Sequence, residues 1–355
     1  MNLPGEIKGR GSRSNPTNRF TTLEVGFDPE FMDGNEQFED YGSPNTTFLK
    51  DSSATIISTN SSPDVGFDAS INPYRGCEHG CSYCYARPTH EYFGFSTGLD
   101  FETKILVKEN AATLLKKELS KKSWAPQVVA LSGVTDAYQP VERRLRITRS
   151  CIEVLSDHMN PLTIITKNAL VTRDIDLLIP MAQQNACKIA ISVTTLDEKL
   201  SGDLEPRASR PNARLEAIKR ISDAGIPCGV LIAPVIPGLT EFEIPNILQA
   251  AADAGAQFAG YTVPRLPLGV GPIFDEWLIN HRPGYREKIM NRLKSLRNGK
   301  VNSSKFGERM KSKGNFADEI RFLFQTGLKK SKLSHAWPKL STEHFKREPN
   351  QLELF

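Results

Sequence analysis

Three cysteines lie within eight residues of one another, in the stretch NPYRGCEHGCSYCYA at positions 72–86. Cys77, Cys81 and Cys84 have the spacing Cys-x3-Cys-x2-Cys, which suits a soft metal centre. A structural zinc site is normally closed by four ligands in two separated pairs. No second pair follows here, and His79 has an awkward geometry as a fourth ligand in so tight a loop. A [4Fe–4S] cluster held by three thiolates leaves one iron open, so the spacing favours a cluster over zinc or incidental thiols.

The other three cysteines, Cys151, Cys187 and Cys228, lie in a predicted helix or near the starts of predicted strands. We expect them to be ordinary thiols and not ligands of a second cluster. No signal-peptide pattern is visible at the N-terminus, so we expect a reducing, cytoplasmic setting for the six cysteines. No apolar run approaches the about 18 residues that a membrane span needs, which excludes a membrane as partner.

Apolar runs alternate with helical patterns along the chain. The predicted strands are 65–71, 128–131, 162–166, 188–193, 229–233 and 258–263, and the predicted helices are 110–122, 143–158, 173–184, 212–224 and 241–254. Such alternation is typical of an α/β fold with a parallel sheet covered by helices. About six βα units are compatible with a partial barrel or a doubly wound sheet. In parallel barrels the chemistry lies at the carboxyl ends of the strands.

Polar residues stand where that rule places a functional site. The cysteine motif follows the first strand, Thr135 and Asp136 follow the second, Lys167 follows the third and Ser192 lies in the fourth. The cysteine spacing, the aromatic residue after the second cysteine and the position in the chain together resemble the radical SAM superfamily. Over roughly residues 65–265 the strand ends are similar to its spore photoproduct lyase-like branch.

This resemblance implies a partial (βα)6 TIM-type barrel with an N-terminal extension and a basic, mainly helical C-terminal segment. It also implies a [4Fe–4S] cluster whose open iron binds the amino and carboxylate groups of S-adenosylmethionine. One electron, from a reductant such as flavodoxin or ferredoxin, then cleaves the sulfonium to methionine and a 5′-deoxyadenosyl radical that abstracts hydrogen from the substrate.

The resemblance also assigns roles to residues at the strand ends. Lys167 would contact the cofactor carboxylate, a backbone group at Ala233 would meet the adenine, and Tyr85 would pack near the cofactor. Thr135, Asp136 and Ser192 would lie near the cofactor or its ribose. The residues themselves leave simpler interpretations open. These are a solvated loop lysine for Lys167, a turn or N-cap aspartate for Asp136, a buried hydroxyl for Ser192 and a structural ion pair for Arg207.

One departure from that branch concerns the hydrogen donor. The lesion-reversing lyases carry a cysteine just before the Thr-or-Ser-Asp segment, but residues 132–136 read SGVTD. This argues against spore photoproduct repair itself. Tyr138 is an alternative donor, but the sequence favours a packed tyrosine at this position.

The net charge of +4 conceals an uneven distribution. Residues 282–350 contain 18 Lys and Arg against 6 Asp and Glu, a balance of +12, whereas residues 1–281 contain 27 against 34, a balance of −7. The basic segment is interpreted either as a solvated helical surface or as a footprint for a nucleic-acid backbone.

The chain ends in QLELF, which resembles the short peptide by which bacterial repair proteins dock on the sliding DNA clamp. Gln351, Leu352, Leu354 and Phe355 would be the docking residues, with leucine and phenylalanine anchors for an apolar groove, and residues 342–350 would be a charged linker. We therefore predict four parts. They are a polar, partly disordered extension (1–62), the core barrel (63–281), the basic helical segment (282–341) and the tail (342–355).

These observations lead to one principal hypothesis and two alternatives. The principal hypothesis is a radical SAM enzyme that acts on nucleic acid in DNA repair or base modification. The first alternative keeps the radical chemistry but takes a protein or small molecule as substrate. The second is a non-enzymatic, metal-stabilised nucleic-acid-binding protein.

Overall fold

The central sheet is built from short apolar strands separated by helices. The computed structural model describes residues 9–20 and 45–347. The strands are β1 (Thr47–Lys50), β2 (Ile57–Thr59), β3 (Ala69–Ile71), β4 (Tyr74–Arg75), β5 (Lys104–Val107), β6 (Val129–Leu131), β7 (Leu162–Thr166), β8 (Cys187–Ser192), β9 (Cys228–Ile232) and β10 (Phe258–Tyr261). The helices are α1 (Leu99–Thr103), α2 (Ala111–Ser120), α3 (Glu142–Leu145), α4 (Ile147–Asp157), α5 (Ile175–Gln183), α6 (Glu198–Leu204), α7 (Pro211–Asp223), α8 (Ile244–Asp253), α9 (Val270–His281), α10 (Arg286–Ser295) and α11 (Asn315–Ser331).

The main sheet has the strand order β2-β3-β6-β7-β8-β9-β10. Its last six strands are parallel neighbours, whereas β2 pairs with β3 in the antiparallel direction at one edge. The strand side chains are largely buried, as a parallel sheet covered by helices requires. The prediction of an α/β partial (βα)6 barrel is confirmed.

The first predicted strand is shorter than the sequence suggested. It begins at Ala69 because the preceding residues belong to the turn that joins β2 to β3. In that turn the Asn60 side chain donates to the carbonyl of Phe67 at 3.1 Å, and its backbone N–H donates to Asp68 at 2.7 Å. These bonds close the hairpin and leave the residues before Ala69 outside the ladder.

A second, small sheet lies beside the barrel, and the sequence pattern did not predict it. Strand β5 pairs in parallel with β1 and antiparallel with β4, which immediately precedes the cysteine loop. Its two flanking strands lie far from β5 along the chain, so local periodicity gives no signal for their pairing. This sheet supports the entry to the cysteine loop.

The last described residues lie along the opposite end of the barrel. Helix α11 packs against α8, and the chain then runs past the amino ends of the strands as a C-terminal strap, residues 333–347. Ser334 forms a bridge with Phe258 at the start of β10, and the Lys346 N–H donates to the His158 carbonyl at 2.7 Å. The predicted linker is therefore packed on the barrel as far as Arg347.

The predicted clamp-binding residues Gln351, Leu352, Leu354 and Phe355 lie outside the described residues. Among the helices that the structure describes, none is long and apolar enough to cross a bilayer. The predicted ordinary thiols Cys151, Cys187 and Cys228 are fully buried and free, in α4 and at the starts of β8 and β9.

Candidate active site

A cavity of about 550 Å³ opens at the carboxyl ends of the parallel strands. The strand ends converge there because all six strands run in the same direction. The structure brings to its lining every metal or cofactor residue that the sequence predicted, namely Cys77, Cys81, Cys84, Tyr85, Thr135, Asp136, Lys167, Ser192 and Ala233.

The cysteine loop depends on two glycines with left-handed backbone conformations. Gly76 has φ of 80° and Gly80 has φ of 67°, a region that side chains rarely occupy. A Cβ atom on Gly80 would also lie 2.6 Å from Oε2 of Glu102. The loop is fastened by backbone bonds from Cys77 N–H to the Phe101 carbonyl at 2.9 Å and from Cys84 N–H to the Cys81 carbonyl at 3.2 Å.

A buried ion pair braces this loop from behind. Arg87 and Glu102 are fully buried and 2.6 Å apart. Two nitrogens of Arg87 also donate to the Cys81 carbonyl, at 3.0 and 2.9 Å. Glu102 accepts backbone N–H bonds from Gly11 at 3.0 Å and Ser12 at 2.9 Å, so residues near the N-terminus close over the loop.

The three thiols fit the cluster that their spacing suggests. Cys77 and Cys81 are each 7% exposed, and burial is the main cause that raises the pKa of all three thiols. Thiolates here therefore require a cationic metal centre. Among the described residues no three His, Cys, Asp or Glu side chains converge on a single ion. Three thiolates of a cubane bind three different irons, so the donor set suits a [4Fe–4S] cluster with one open iron.

Lys167 presents its ammonium group to the cavity from the end of β7. Its Nζ donates to the Ala233 carbonyl at 2.5 Å and lies 3.2 Å from the Glu205 carboxylate. Its side chain is 16% exposed, so it is not the solvated loop lysine of the simpler interpretation. An ammonium has three donors, and this one is held by the carbonyl that follows β9 and by the carboxylate that follows α6.

Glu205 anchors this region through a network that sequence reasoning missed. It pairs with Arg214 and Lys167, and it accepts hydrogen bonds from Tyr83 and Thr194. Burial alone would raise the pKa of the Glu205 carboxyl, but the two cations and the two hydroxyl donors outweigh burial and hold that pKa well below 4.5. Glu205 is thus ionised at neutral pH and fixes the position of Lys167.

Asp136 connects the loop after β6 to the end of β7. Its carboxylate accepts from the Thr166 hydroxyl at 2.7 Å and from the Lys167 N–H at 2.8 Å. His79 lies 3.5 Å away, and its ring contacts Asn168 at 3.2 Å. Burial is the main cause that lowers the pKa of His79, so its ring is neutral at pH 7. His79 belongs to this polar network within the cavity lining.

The remaining predicted cofactor residues contribute hydroxyl, backbone or ring surface. The Thr135 hydroxyl donates to the Tyr74 carbonyl at 2.6 Å. Ser192 is 3% exposed and lines the cavity at the end of β8. The Tyr85 hydroxyl donates to the Gly133 carbonyl at 3.1 Å, which holds the ring across the cavity wall.

Two candidates from the sequence lie elsewhere. Tyr138 is fully buried, and its hydroxyl donates to Asp174 at 3.0 Å, away from the cavity lining. This is the placement of a packed tyrosine, so we do not retain Tyr138 as a hydrogen donor. Arg207 lies 3.1 Å from Glu78 and does not line the cavity, which matches the structural ion pair.

Two arginines of the site had detectable signals in the sequence. Arg214 occupies an apolar-face position of α7, three, four and seven residues before Ala217, Ile218 and Ile221. Such a buried arginine indicates a carboxylate partner, here Glu205. Arg265 follows the sixth strand, where the strand-end rule would have placed it, and its guanidinium lies 5.0 Å from the centre of the Tyr85 ring.

The mouth of the cavity is partly covered by a loop between α10 and α11, residues 297–313, which we call the mouth loop. Arg309 and Met310 from this loop line the cavity. Arg309 pairs with Asp64 at 2.7 Å, and Gly307 donates its N–H to the same carboxylate at 2.8 Å. The C-terminal segment therefore contributes directly to the site.

Comparisons with known proteins agree with this geometry. The family model described as the radical SAM superfamily matches residues 71–251, just over half of the chain. A protein of Mycobacterium tuberculosis, described as uncharacterized, is 42% identical over 199 residues, 56% of this chain and 58% of that protein. One of Methanocaldococcus jannaschii, also described as uncharacterized, is 31% identical over 173 residues, 49% of this chain and 62% of that protein. The chain thus matches these relatives over little more than half of their length.

Solved structures show the same fold. Spore photoproduct lyase complexed with dinucleoside spore photoproduct superposes with a TM-score of 0.56 at 15% identity, covering 80% of this chain and 79% of that chain. A double mutant of that lyase with bound AdoMet gives 0.55 at 15% identity, with 80% and 78% covered. The likeness shows that this chain shares their overall fold.

Proposed function

Because the chain belongs to the radical SAM superfamily, we propose that it is an enzyme that cleaves S-adenosylmethionine reductively and abstracts hydrogen from a substrate. Membership of this family implies a [4Fe–4S] cluster and S-adenosylmethionine as cofactors. The observation that carries the proposal is that Cys77, Cys81, Cys84 and Lys167 line one cavity at the strand ends. When bound, the cluster and cofactor supply the electron and the radical.

The chain's own residues would bind and orient the cofactor. Lys167 is placed to donate to the carboxylate, since its ammonium is partly exposed to the cavity and held by Glu205. Asp136 fixes the backbone of Lys167 by accepting its N–H. The backbone at Ala233, the hydroxyls of Thr135 and Ser192 and the Tyr85 ring complete the lining around the adenosine.

Anaerobic reconstitution followed by reduction with S-adenosylmethionine tests this proposal. We expect 5′-deoxyadenosine from the wild-type protein and none from Cys81→Ala, because Cys81 is one of three cluster ligands. Cys151→Ala is the matched control, since Cys151 is a fully buried thiol in α4 outside the cavity lining. Absence of product from wild-type protein with a verified cluster would contradict the proposal.

We further propose a nucleic-acid substrate, in DNA repair or base modification. The fold neighbour described above is complexed with a dinucleoside, which suggests this substrate class. The basic C-terminal segment supports it, because the fold places part of that segment at the cavity. Exposed Lys300, Lys305, Lys311 and Lys313 all belong to the mouth loop.

The fold divides the basic segment between two ends of the barrel. Lys329, Lys330 and Lys332 are also exposed, but they lie at the end of α11, next to the strap at the amino ends of the strands. Of these two groups of lysines, the mouth-loop lysines would bind a phosphate backbone whose base enters the cavity. The two groups of lysines therefore provide a matched comparison.

Binding of the reconstituted protein to a DNA oligonucleotide tests the footprint. We expect Lys305→Ala, Lys311→Ala and Lys313→Ala together to weaken binding and to reduce the slope of log K against log salt by about 2–3. The triple variant at Lys329, Lys330 and Lys332 removes the same charge and should leave the slope near its wild-type value. An equal loss of DNA affinity and of salt slope in the two triple variants would contradict a footprint at the mouth of the cavity.

The other two functions predict different results. A radical SAM enzyme for a protein or small molecule would cleave the cofactor but bind no nucleic acid. A non-enzymatic nucleic-acid-binding protein would contain zinc, lack iron–sulfur absorbance and leave S-adenosylmethionine intact. The cavity that combines three thiols with a cofactor-sized space favours an enzyme.

We also propose three features of the cellular setting. The protein receives its electron from flavodoxin or ferredoxin, and it docks on the sliding DNA clamp through its tail. It works in the cytoplasm, where a reducing environment preserves the cluster ligands.

A further inference from the structure

Arg297, at the start of the mouth loop, is a buried arginine without a hydrogen-bond acceptor. It is 7% exposed, and among the described residues none accepts a bond from its Nε, Nη1 or Nη2 atoms. Arginine keeps its charge throughout the physiological pH range. A buried cation is unfavourable unless an anion compensates it, so this position requires an anion that the neighbouring side chains do not supply.

A second cation lies close to Arg297. Burial is the main cause that lowers the pKa of Arg297 to about 10, and the charge of Arg265 adds to the effect. Arg265 lines the cavity with its guanidinium over the Tyr85 ring. Its own electrostatic neighbours include Arg309 and one carboxylate, Asp64, which pairs directly with Arg309. Positive charge is therefore concentrated on the mouth side of the cavity.

A purely structural role for Arg297 is the alternative. The residue follows α10, where a cation interacts favourably with the helix dipole, and its backbone N–H donates to the Lys294 carbonyl at 3.1 Å. However, a structural arginine at a helix end normally donates from its side chain to exposed carbonyls. All of the side-chain nitrogens of Arg297 lack an acceptor among the described residues, which points to a ligand.

We propose that Arg297 and Arg265 form a binding site for a phosphate group at the mouth of the cavity. Two guanidinium groups offer planar, forked donors, the geometry that binds phosphate oxygens best. This inference rests on the proposed function, because the phosphate would hold a substrate whose reacting part enters the cavity. The group that binds is a phosphate oxyanion. Its source is either a nucleic-acid strand or a free phosphate compound.

The first test measures the thermal stability of the reconstituted protein in inorganic phosphate and in chloride at equal ionic strength. We expect phosphate to raise the unfolding midpoint of the wild type but not that of Arg297→Met, which keeps the apolar stem. Arg321→Met is the control, because Arg321 is exposed on α11 and paired with Asp318. Its midpoint should respond to phosphate as the wild type does.

The first test also separates a ligand site from a structural arginine. Without phosphate, Arg297→Met should be at least as stable as the wild type, because it removes an uncompensated buried charge. A large loss of stability in chloride would show that Arg297 is structural and would overturn the site. The site would also be overturned if phosphate raised the unfolding midpoint of Arg297→Met as much as that of the wild type.

The second test identifies the source of the phosphate with a DNA oligonucleotide. If a strand supplies it, Arg297→Met should bind about tenfold more weakly, with a salt slope lower by about 1 and no dependence on sequence. If Arg297→Met binds the strand as tightly as the wild type but its unfolding midpoint no longer rises in phosphate, the site belongs to a free phosphate compound. Failure of the wild type to bind any strand would overturn the nucleic-acid substrate but leave the phosphate site supported by its own response.

Discussion

Lys167 is the residue that we propose to bind the carboxylate of S-adenosylmethionine. Replacing it with methionine should weaken cofactor binding about tenfold or more, since a hydrogen bond to a charged group contributes about 1.5–3 kcal/mol. Iron content should stay the same, because Lys167 is not a cluster ligand.

Equilibrium dialysis of the reconstituted proteins measures the dissociation constant of S-adenosylmethionine. Lys219→Met is the control, as Lys219 is an exposed lysine of α7 paired with Asp223 at 2.7 Å. A dissociation constant unchanged in Lys167→Met would remove Lys167 from the cofactor site.

Protonation of Glu205, the carboxylate beside Lys167, makes the free energy of unfolding depend on pH. Its pKa is lower in the folded chain than its ordinary value of 4.5, because the effects of its cationic and hydroxyl partners outweigh burial. The stabilisation is therefore complete above that value and is lost as the pH falls toward the lowered folded value. Glu205→Gln imitates the protonated acid and should reduce the free energy of unfolding at pH 7 by about 3 kcal/mol.

Urea unfolding of wild type and Glu205→Gln at a series of pH values from 7 to 4 checks this expectation. The difference in the free energy of unfolding between wild type and Glu205→Gln should be constant near neutrality. It should shrink as the pH approaches 4. A difference that does not change with pH would mean that the ionised carboxylate contributes nothing beyond the shape of its side chain.

At the residue scale, the sequence predicted the cavity lining well but not the groups that orient it. Cys77, Lys167 and Asp136 were found because they follow strands, and parallel strands bring their ends together. Glu205 was visible only as part of a polar stretch, because its partners come from separate elements. Tyr138 lies two residues after Asp136 in the same loop, but its side chain turns into the core, which sequence position cannot reveal.

At the scale of elements, the cysteine loop depends on the Arg87–Glu102 pair. Glu102→Gln leaves the Arg87 charge buried without its carboxylate, so the free energy of unfolding should fall by about 3–5 kcal/mol. The loop should also retain less iron, because Arg87 holds the Cys81 carbonyl. Urea unfolding and iron per chain are the measurements.

The matched control for that prediction is an exposed carboxylate in an ion pair. Glu118 pairs with Lys121 at 2.6 Å on the surface of α2. Glu118→Gln should change stability by less than about 0.5 kcal/mol and leave the iron content unaltered. Similar effects of the two substitutions would show that the buried pair has no special role in the loop.

The elements themselves were predictable where local periodicity decides them. The parallel strands were found because each is a short apolar run bounded by turns. The small sheet was not found, because β4 has only two residues and β5 follows α1 without a break. Its strands are defined by long-range pairing, which no local pattern encodes.

For the whole molecule, the fold separates the cavity from the C-terminal strap. The cavity, the mouth loop and Arg297 lie at the carboxyl ends of the strands, whereas the strap crosses the amino ends. Arg347, the last described residue, donates to the Trp124 carbonyl at 2.8 Å on the strap side. The described part of the chain therefore ends on the side of the barrel away from the cavity.

The clamp-binding peptide, proposed from the sequence QLELF, gives a prediction for the full chain. Deletion of residues 351–355 should abolish binding to the sliding DNA clamp, because it removes the leucine and phenylalanine anchors. Affinity for S-adenosylmethionine and for DNA should remain at the wild-type level, because Arg347, the last described residue, lies at the opposite end of the barrel from the cavity where we propose that both bind. Surface plasmon resonance on immobilised clamp measures the first effect, and a variant with the five residues scrambled controls for composition. Clamp binding that survives both the deletion and the scrambling would exclude the tail as a docking peptide. A loss of DNA affinity on deletion would contradict separate sites for the clamp and for DNA.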